Sequence, residues 1–146
     1  MSPETLKTSM QAMAFVACGT IAAGTLPTAA FARVALSDDA HITRSLVSAA
    51  VGAAIADQCS SIERRNVTVF FKTMALKRYA QDLGYSSKEI NAFVKNKAEQ
   101  KRIRDLAFAY LTSKGLTVND TDAFCTLGRQ EIANKTLTGQ MLRENR

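Results

Sequence analysis

The chain has no tryptophan, a single histidine and only two prolines, Pro3 and Pro27. Because proline is absent beyond position 27, nothing in the rest of the chain breaks a long helix through a missing N–H or a ring clash. Alanine is frequent, and β-branched residues rarely alternate with polar ones. These absences predict an all-α fold.

The sequence also lacks a Gly-rich phosphate loop, a paired zinc-ligand spacing and a Gly-x-Ser-x-Gly elbow. His41 lies in the first turn of a predicted helix, and Asp38 and Ser45 are its neighbours along that segment, where a catalytic triad is rarely built. Two cysteines and one distant histidine are too few ligands for zinc. We therefore expect no catalytic residue, no metal site and no cofactor.

An apolar, uncharged stretch covers residues 8–32 and ends in Ala30-Phe31-Ala32. A small-x-small motif after an apolar run is typical of an export signal, so cleavage is predicted after Ala32. Residues 1–32 are then a signal peptide, and residues 33–146 form a single helical domain in the periplasm. The alternative is that residues 8–32 are retained as a membrane anchor.

Two cysteines, Cys59 and Cys125, lie beyond this segment, whereas Cys18 lies within it. Export brings a chain into a compartment where thiols oxidise, so Cys59 and Cys125 are predicted to form a disulfide. Redox-active pairs are more often close in sequence, as in Cys-x-x-Cys. The predicted role of this disulfide is therefore structural.

Helix start and stop signals predict a compact bundle of about five helices. Serine, asparagine or aspartate caps precede the apolar-periodic runs, and glycines follow two of them. The disulfide would join the first helix to the last. The predicted helices extend from Ser37 to Gln58, from Ser61 to Leu83, from Ser86 across Val94, from Asn96 to Lys114, and from Asp120 or Thr121 across Ile132, before a terminal turn with Leu137, Met141 and Leu142.

The second predicted helix, roughly residues 61–83, is apolar over more than half of its circumference. A helix with apolar residues on most sides is usually buried, so this one is predicted to be the central helix of the bundle. A capping box of Ser60 and Glu63 would start it. Its apolar residues are Val67, Phe70, Phe71, Met74, Ala75, Tyr79, Ala80 and Leu83.

Small residues recur at every fourth position of the first helix, at Ser48, Gly52 and Ala56. Gly128 lies inside the last predicted helix, where glycine costs roughly 1 kcal/mol relative to alanine. This pattern indicates a close backbone approach between the two helices near the disulfide. The neighbouring Arg129 either pairs with an acid such as Asp57 or is exposed.

The chain has a formal net charge of +6, which favours anionic partners such as acidic proteins or phospholipid head groups. A basic cluster is the predicted partner surface, with a solvated helix face as the alternative because Glu99 and Asp105 interrupt it. Aromatic residues are not interleaved with it, so nucleic-acid binding is not expected. The cluster comprises Lys95, Lys97, Lys101, Arg102 and Arg104.

Several segments together resemble an uncharacterised family of small exported alphaproteobacterial proteins, a domain of unknown function with one cysteine pair. The resemblance covers about residues 40–142 and implies a helical fold with one disulfide and no assigned activity. The segments are Cys59-Ser60-Ser61-Ile62, Arg78-Tyr79-Ala80, Leu83-Gly84-Tyr85, Glu89-Ile90-x-x-Phe93 and Cys125-x-x-Gly128-Arg129-x-Glu131-Ile132.

The combined expectation is a non-enzymatic periplasmic protein that binds a protein partner, either acidic or membrane-associated, with peripheral membrane contact as a further option. The second hypothesis is a membrane-anchored accessory subunit or assembly factor of a respiratory complex, with residues 8–32 as its anchor.

Overall fold

The structure is a computed structural model that describes residues 33–145, and it contains five α-helices and one small sheet. This confirms the predicted five-helix fold. The predicted signal peptide and its cleavage motif, Ala30 and Ala32, lie outside the described residues. The elements are α1 (Ala40–Gln58), β1 (Ile62–Arg64), α2 (Asn66–Asp82), α3 (Ser87–Lys95), α4 (Lys97–Ser113), α5 (Thr121–Ala133), a 3₁₀ turn (Gly139–Met141) and β2 (Leu142–Glu144).

Four helices begin at side-chain caps. Asp39 accepts a hydrogen bond from the backbone N–H of Ile42 and starts α1, a position two residues beyond the predicted Ser37. Ser86 and Glu89 form the predicted capping box at the start of α3. The last two caps are Asn96 for α4 and Asp120 for α5, both as predicted.

Glycines follow the ends of α2 and α4. Gly84 has φ 87° and Gly115 has φ 80°, a left-handed conformation that side chains with a β-carbon rarely adopt. Both glycines therefore end their helices as the sequence predicts.

The central helix is α1, and the prediction that the second helix is central was wrong. Val51, Ile55 and Cys59 are at most 1% exposed, because α4, α5 and β1 all pack around α1. In α2 only Ala80 is buried. A second, smaller core of Leu36, Ile42, Ala80 and Ile90 attaches α2 to the remainder of the domain.

The predicted start of the second helix was also wrong, because residues 62–64 form β1 and pair antiparallel with residues 142–144 of β2. Ile62 is buried at 2% exposure, and Glu63 pairs with Arg143 across the strands at 2.5 Å. Glu63 is therefore engaged away from Ser60, and the predicted capping box does not form. The helix begins only at Asn66.

The disulfide joins Cys59, the C-cap of α1, to Cys125 in α5, with 5.1 Å between the two Cα atoms. This confirms the predicted link between the first and last helices. Gly128 lies one turn beyond Cys125, and the side chains of Ile55 and Ile62 pack directly on it. The close approach to Gly128 is as predicted, but Ile55 and Ile62 contact the glycine and the small-residue strip of α1 does not.

The small-residue strip of α1 faces the C-terminal segment instead. A β-carbon on Gly52 would lie 3.6 Å from Thr138 Cγ2, and the Thr138 hydroxyl donates to the Ser48 carbonyl at 3.2 Å. Within residues 33–145, no helix is long and apolar enough to cross a membrane.

Candidate functional site

The largest group of exposed apolar side chains on one described helix lies on α2. Val67 is 70% exposed, Phe70 59%, Phe71 65% and Met74 47%. The spacing i, i+3, i+4, i+7 places the four on one side of the helix. We call this surface, defined by these four residues, the α2 face.

The two aromatic rings of the α2 face contact each other. Phe70 and Phe71 lie edge to face, with 5.6 Å between their ring centroids. The opposite side of the helix carries Val69 and Leu76, which are half-buried against the domain. The helix is therefore apolar on two sides, and the fold covers only one of them. This is why its sequence pattern indicated a fully buried helix.

Cations follow the α2 face along the chain, and no acid lies between Val67 and Met74. Between Arg64 and Gln81 the chain contains no aspartate or glutamate, and Lys77 and Arg78 lie on the turn that follows Met74. Lys72 donates to the side-chain oxygen of Gln140 at 2.8 Å. The α2 face is thus an aromatic surface beside which cations outnumber the single acid of α2, Asp82.

Shallow clefts flank α2 on both sides. The cleft between α1 and α2 has a volume of about 240 Å³, and His41, Ser45 and Lys72 are among its lining residues. The cleft on the other side is formed with α3 and α1, has a volume of about 260 Å³ and is mainly apolar. Both clefts lie between α2 and the remainder of the domain and share Leu46, Thr73 and Leu76 in their linings.

The basic cluster predicted from sequence lies at the junction of α3 and α4, and its own acids engage part of it. Lys101 pairs with Asp105 at 2.7 Å, and Arg102 pairs with Glu99 at 2.8 Å. The Arg102 side chain is only 33% exposed. Two of the five predicted cations therefore have internal partners. The others are Lys95, Lys97 and Arg104.

Sequence reasoning missed a buried carboxylate. Glu131 is 5% exposed, and its side chain accepts hydrogen bonds from the Tyr110 hydroxyl at 2.5 Å and from the Thr136 hydroxyl. Burial, followed by the bond to Glu131, raises the pKa of Tyr110 to about 12. The resemblance segment that starts at Cys125 includes Glu131, but no capping or periodicity signal in the sequence indicates that this glutamate is buried.

The Glu131 cluster connects three parts of the chain. It links α4 through Tyr110 and the segment after α5 through Thr136, whose hydroxyl also accepts from the Gly139 N–H at 3.0 Å. Arg44 and Ser48 line the cleft above it, which has a volume of about 210 Å³. Each carboxylate oxygen accepts one hydroxyl hydrogen bond, so the cluster links α4, α5 and the segment after α5.

His41 is exposed, and its ring packs edge to face against Tyr79 with 4.6 Å between centroids. The Tyr79 hydroxyl donates to Asp39 at 3.0 Å, and this bond raises the pKa of Tyr79. Asp39 also caps α1, and the N–H of Ile42 lowers its pKa. Across the described part of the chain, no three His, Cys, Asp or Glu side chains converge on a metal-binding position.

The remaining predicted pairing concerns Asp57. Its partner is Arg64 at 3.3 Å, and Arg129 is exposed. Arg129 is therefore exposed, as the second of the two predicted alternatives states, and it does not pair with Asp57.

Comparison with known proteins places most of the described chain in one family. Residues 34–143 match the model of a family of unknown function. No curated protein and no solved structure matches the chain.

Proposed function

This chain belongs to DUF5333, a family of unknown function whose model spans residues 34–143, and we propose that it is a non-enzymatic binding domain that docks onto a partner through the α2 face. We further propose that the chain is cleaved after Ala32 and resides in the periplasm. We also propose that it is one of a group of small exported alphaproteobacterial proteins with one cysteine pair, which is Cys59 and Cys125 in this chain.

The observation that carries this proposal is the exposure of four large apolar side chains side by side on α2. Single exposed hydrophobic residues are ordinary on protein surfaces, whereas contiguous apolar patches mark interaction sites. Phe70 and Phe71 are each more than half exposed, and aromatic residues are enriched in the energetic centres of interfaces. The α2 face therefore supports a binding role.

The polar residues of the domain support a non-catalytic role. Asp39, Glu89 and Asp120 bind backbone N–H groups at helix starts, and Glu131 accepts two hydroxyl hydrogen bonds. A general base needs a free lone pair directed at a substrate proton. These carboxylates are instead used to define the fold.

The disulfide supports export, because disulfides persist mainly in oxidising compartments. Export is compatible with a cleaved periplasmic domain and with an accessory subunit or assembly factor of a respiratory complex that keeps residues 8–32 as an anchor. Intact mass of the protein from fractionated cells separates the two. A soluble chain that starts at Arg33 supports the cleaved form, and a full-length chain in membranes supports the anchored form.

A site-specific photocrosslinker tests the docking role. A photoreactive phenylalanine analogue is placed at position 71 in the cells that produce the protein, and at position 108 as the control. Phe108 is 56% exposed on α4, outside the α2 face. We expect a discrete adduct from position 71 and none from position 108. Equal labelling at the two positions, or no adduct to either protein or lipid at position 71, would refute the docking role of the α2 face.

A further inference from the structure

We propose that the partner of the α2 face is the headgroup region of a lipid bilayer that carries anionic lipids. This inference rests on the proposed function, since it names the class of partner that the same face takes. Phe70, Phe71 and their neighbours would enter the boundary between headgroups and acyl chains, and the surrounding cations would contact lipid phosphates.

The shape and size of the α2 face favour a bilayer over a protein. A stable protein interface buries roughly 800 Å² on each partner and involves about 20–30 residues a side. The α2 face has four apolar side chains on one helix of 17 residues. A helix that binds a bilayer surface needs a smaller apolar area than a protein interface, because its apolar side chains insert into a continuous medium and electrostatic attraction adds to their binding.

The charge around the α2 face favours an anionic occupant. Arg65 precedes the face in the chain, and Lys77 and Arg78 follow it before Asp82, so cations outnumber acids on and beside α2. A lipid surface with anionic headgroups supplies counter-charge for the cations of α2, which Asp82 alone does not balance. A second copy of this chain would instead bring the same cations against them and would be repelled.

The absence of tryptophan from the chain makes a direct test available. Phe71→Trp places a single tryptophan on the α2 face, and Phe108→Trp places one on α4 as the matched control. The full chain is mixed with vesicles of phosphatidylcholine alone or with phosphatidylglycerol added. Both variants carry the same N-terminal residues, so a difference between them reports on the position of the tryptophan.

With phosphatidylglycerol vesicles, we expect the emission of Phe71→Trp to shift to shorter wavelength and to be quenched by brominated acyl chains. The control Phe108→Trp should show neither change. Equal responses from the two variants, or no response from Phe71→Trp, would overturn the proposal. A blue shift of Phe71→Trp that grows with protein concentration in the absence of lipid would also overturn it, because a second copy then covers the face.

Charge reversal tests how much the cations of α2 contribute to vesicle binding. In the Phe71→Trp background, Lys77→Glu with Arg78→Glu should lower vesicle affinity by about tenfold or more, since each cation near an anionic surface adds to binding. The matched control is Lys95→Glu with Lys97→Glu, from the basic cluster at the α3–α4 junction. If the control pair causes the larger loss, the lipid contact belongs to that cluster and the proposal fails.

The photocrosslinking experiment and the vesicle experiment together separate this inference from the proposed function. If Phe71→Trp does not respond to vesicles but position 71 crosslinks to a protein, the bilayer proposal fails and the docking role stands. If position 71 gives no adduct to protein or lipid, the docking role fails, and the bilayer proposal that rests on it fails with it. Circular dichroism of each variant checks that helix content is retained, so that a lost response reports on binding.

Discussion

Gly128 of α5 lies directly against Ile55 of α1. A β-carbon at position 128 would be 2.6 Å from Ile55 Cγ2, and it would also collide with Ile62 Cδ1. Ile55 is fully buried and Ile62 is 2% exposed, so neither side chain has solvent to move into. The absence of a side chain at position 128 therefore allows α1, β1 and α5 to meet beside the disulfide.

Gly128→Ala should destabilise the domain although alanine is the better helix former. Overpacking of a core costs about 1–3 kcal/mol, whereas replacing glycine by alanine inside a helix gains about 1 kcal/mol. We expect a net loss of up to about 2 kcal/mol in the free energy of unfolding, measured by urea denaturation.

Gly52→Ala is the matched control, because a β-carbon there would lie 3.6 Å from Thr138 Cγ2, an ordinary contact. Its stability should be unchanged or higher by up to about 1 kcal/mol. Adding Ile62→Val to Gly128→Ala removes one colliding methyl group and should restore part of the loss. Equal stabilisation by both glycine substitutions would contradict the close approach.

Reduction of the Cys59–Cys125 disulfide should lower stability substantially. The cross-link joins cysteines 66 positions apart in the sequence, and in the chain-entropy model such a loop contributes about 4 kcal/mol by restricting the unfolded chain. The measurement is urea denaturation with and without reductant. Cys59→Ala with Cys125→Ala should be destabilised and insensitive to reductant. An unchanged midpoint of the native chain, with freed thiols shown by alkylation and mass, would contradict the prediction.

Alkaline pH should weaken the domain through Tyr110. Its pKa is raised from 10.0 to about 12 in the folded state, because the hydroxyl is buried and donates to Glu131. Above pH 10 the unfolded chain loses this proton while the folded chain keeps it, so the free energy of unfolding falls as the pH rises from 10 towards 12. Tyr110→Phe should reduce this slope. A slope equal to that of the native chain would contradict the prediction.

Acidic pH should weaken the start of α3 through Glu89. The Ser86 hydroxyl, the Ser86 N–H and Arg33 donate to its carboxylate and lower its pKa from 4.5 to about 2. As the pH falls below 4.5, the unfolded chain takes up a proton before the folded chain does, so stability is lost progressively towards pH 2.

Carboxyl chemical shifts in an NMR titration should place Glu89 well below its ordinary pKa. Ser86→Ala removes the largest contribution and should raise the pKa of Glu89, whereas Glu89→Gln should remove part of the acid dependence of stability. A Glu89 pKa that is the same with and without the Ser86 hydroxyl would contradict this account of the cap.

Much of the fold could be predicted because its signals are local. The caps at Ser86, Asn96 and Asp120 and the terminating glycines at positions 84 and 115 act on backbone groups within a few residues. The cysteine pairing followed from there being only two cysteines beyond residue 32. These features need no knowledge of which elements are neighbours in space.

The candidate site could not be predicted in the same way. The sequence correctly identified an apolar helix with Phe70 and Phe71, but it assigned those residues to the core. Whether an apolar helix face is covered depends on the surface offered by other elements, and α1 takes the central position instead. Side chains that the sequence assigned to the core are therefore exposed in the structure and form the candidate docking surface.

Sequence by itself determined the helices, their boundaries from α3 onward, and the disulfide that joins the first helix to the last. Capping and helix termination are properties of short segments, and the number of cysteines is a property of composition. Tertiary structure alone decided that residues 62–64 leave the helix to pair with residues 142–144, that Glu131 becomes buried, and that the α2 face stays exposed. Each of these depends on contacts between distant parts of the chain, whose free energy exists only once the chain has folded.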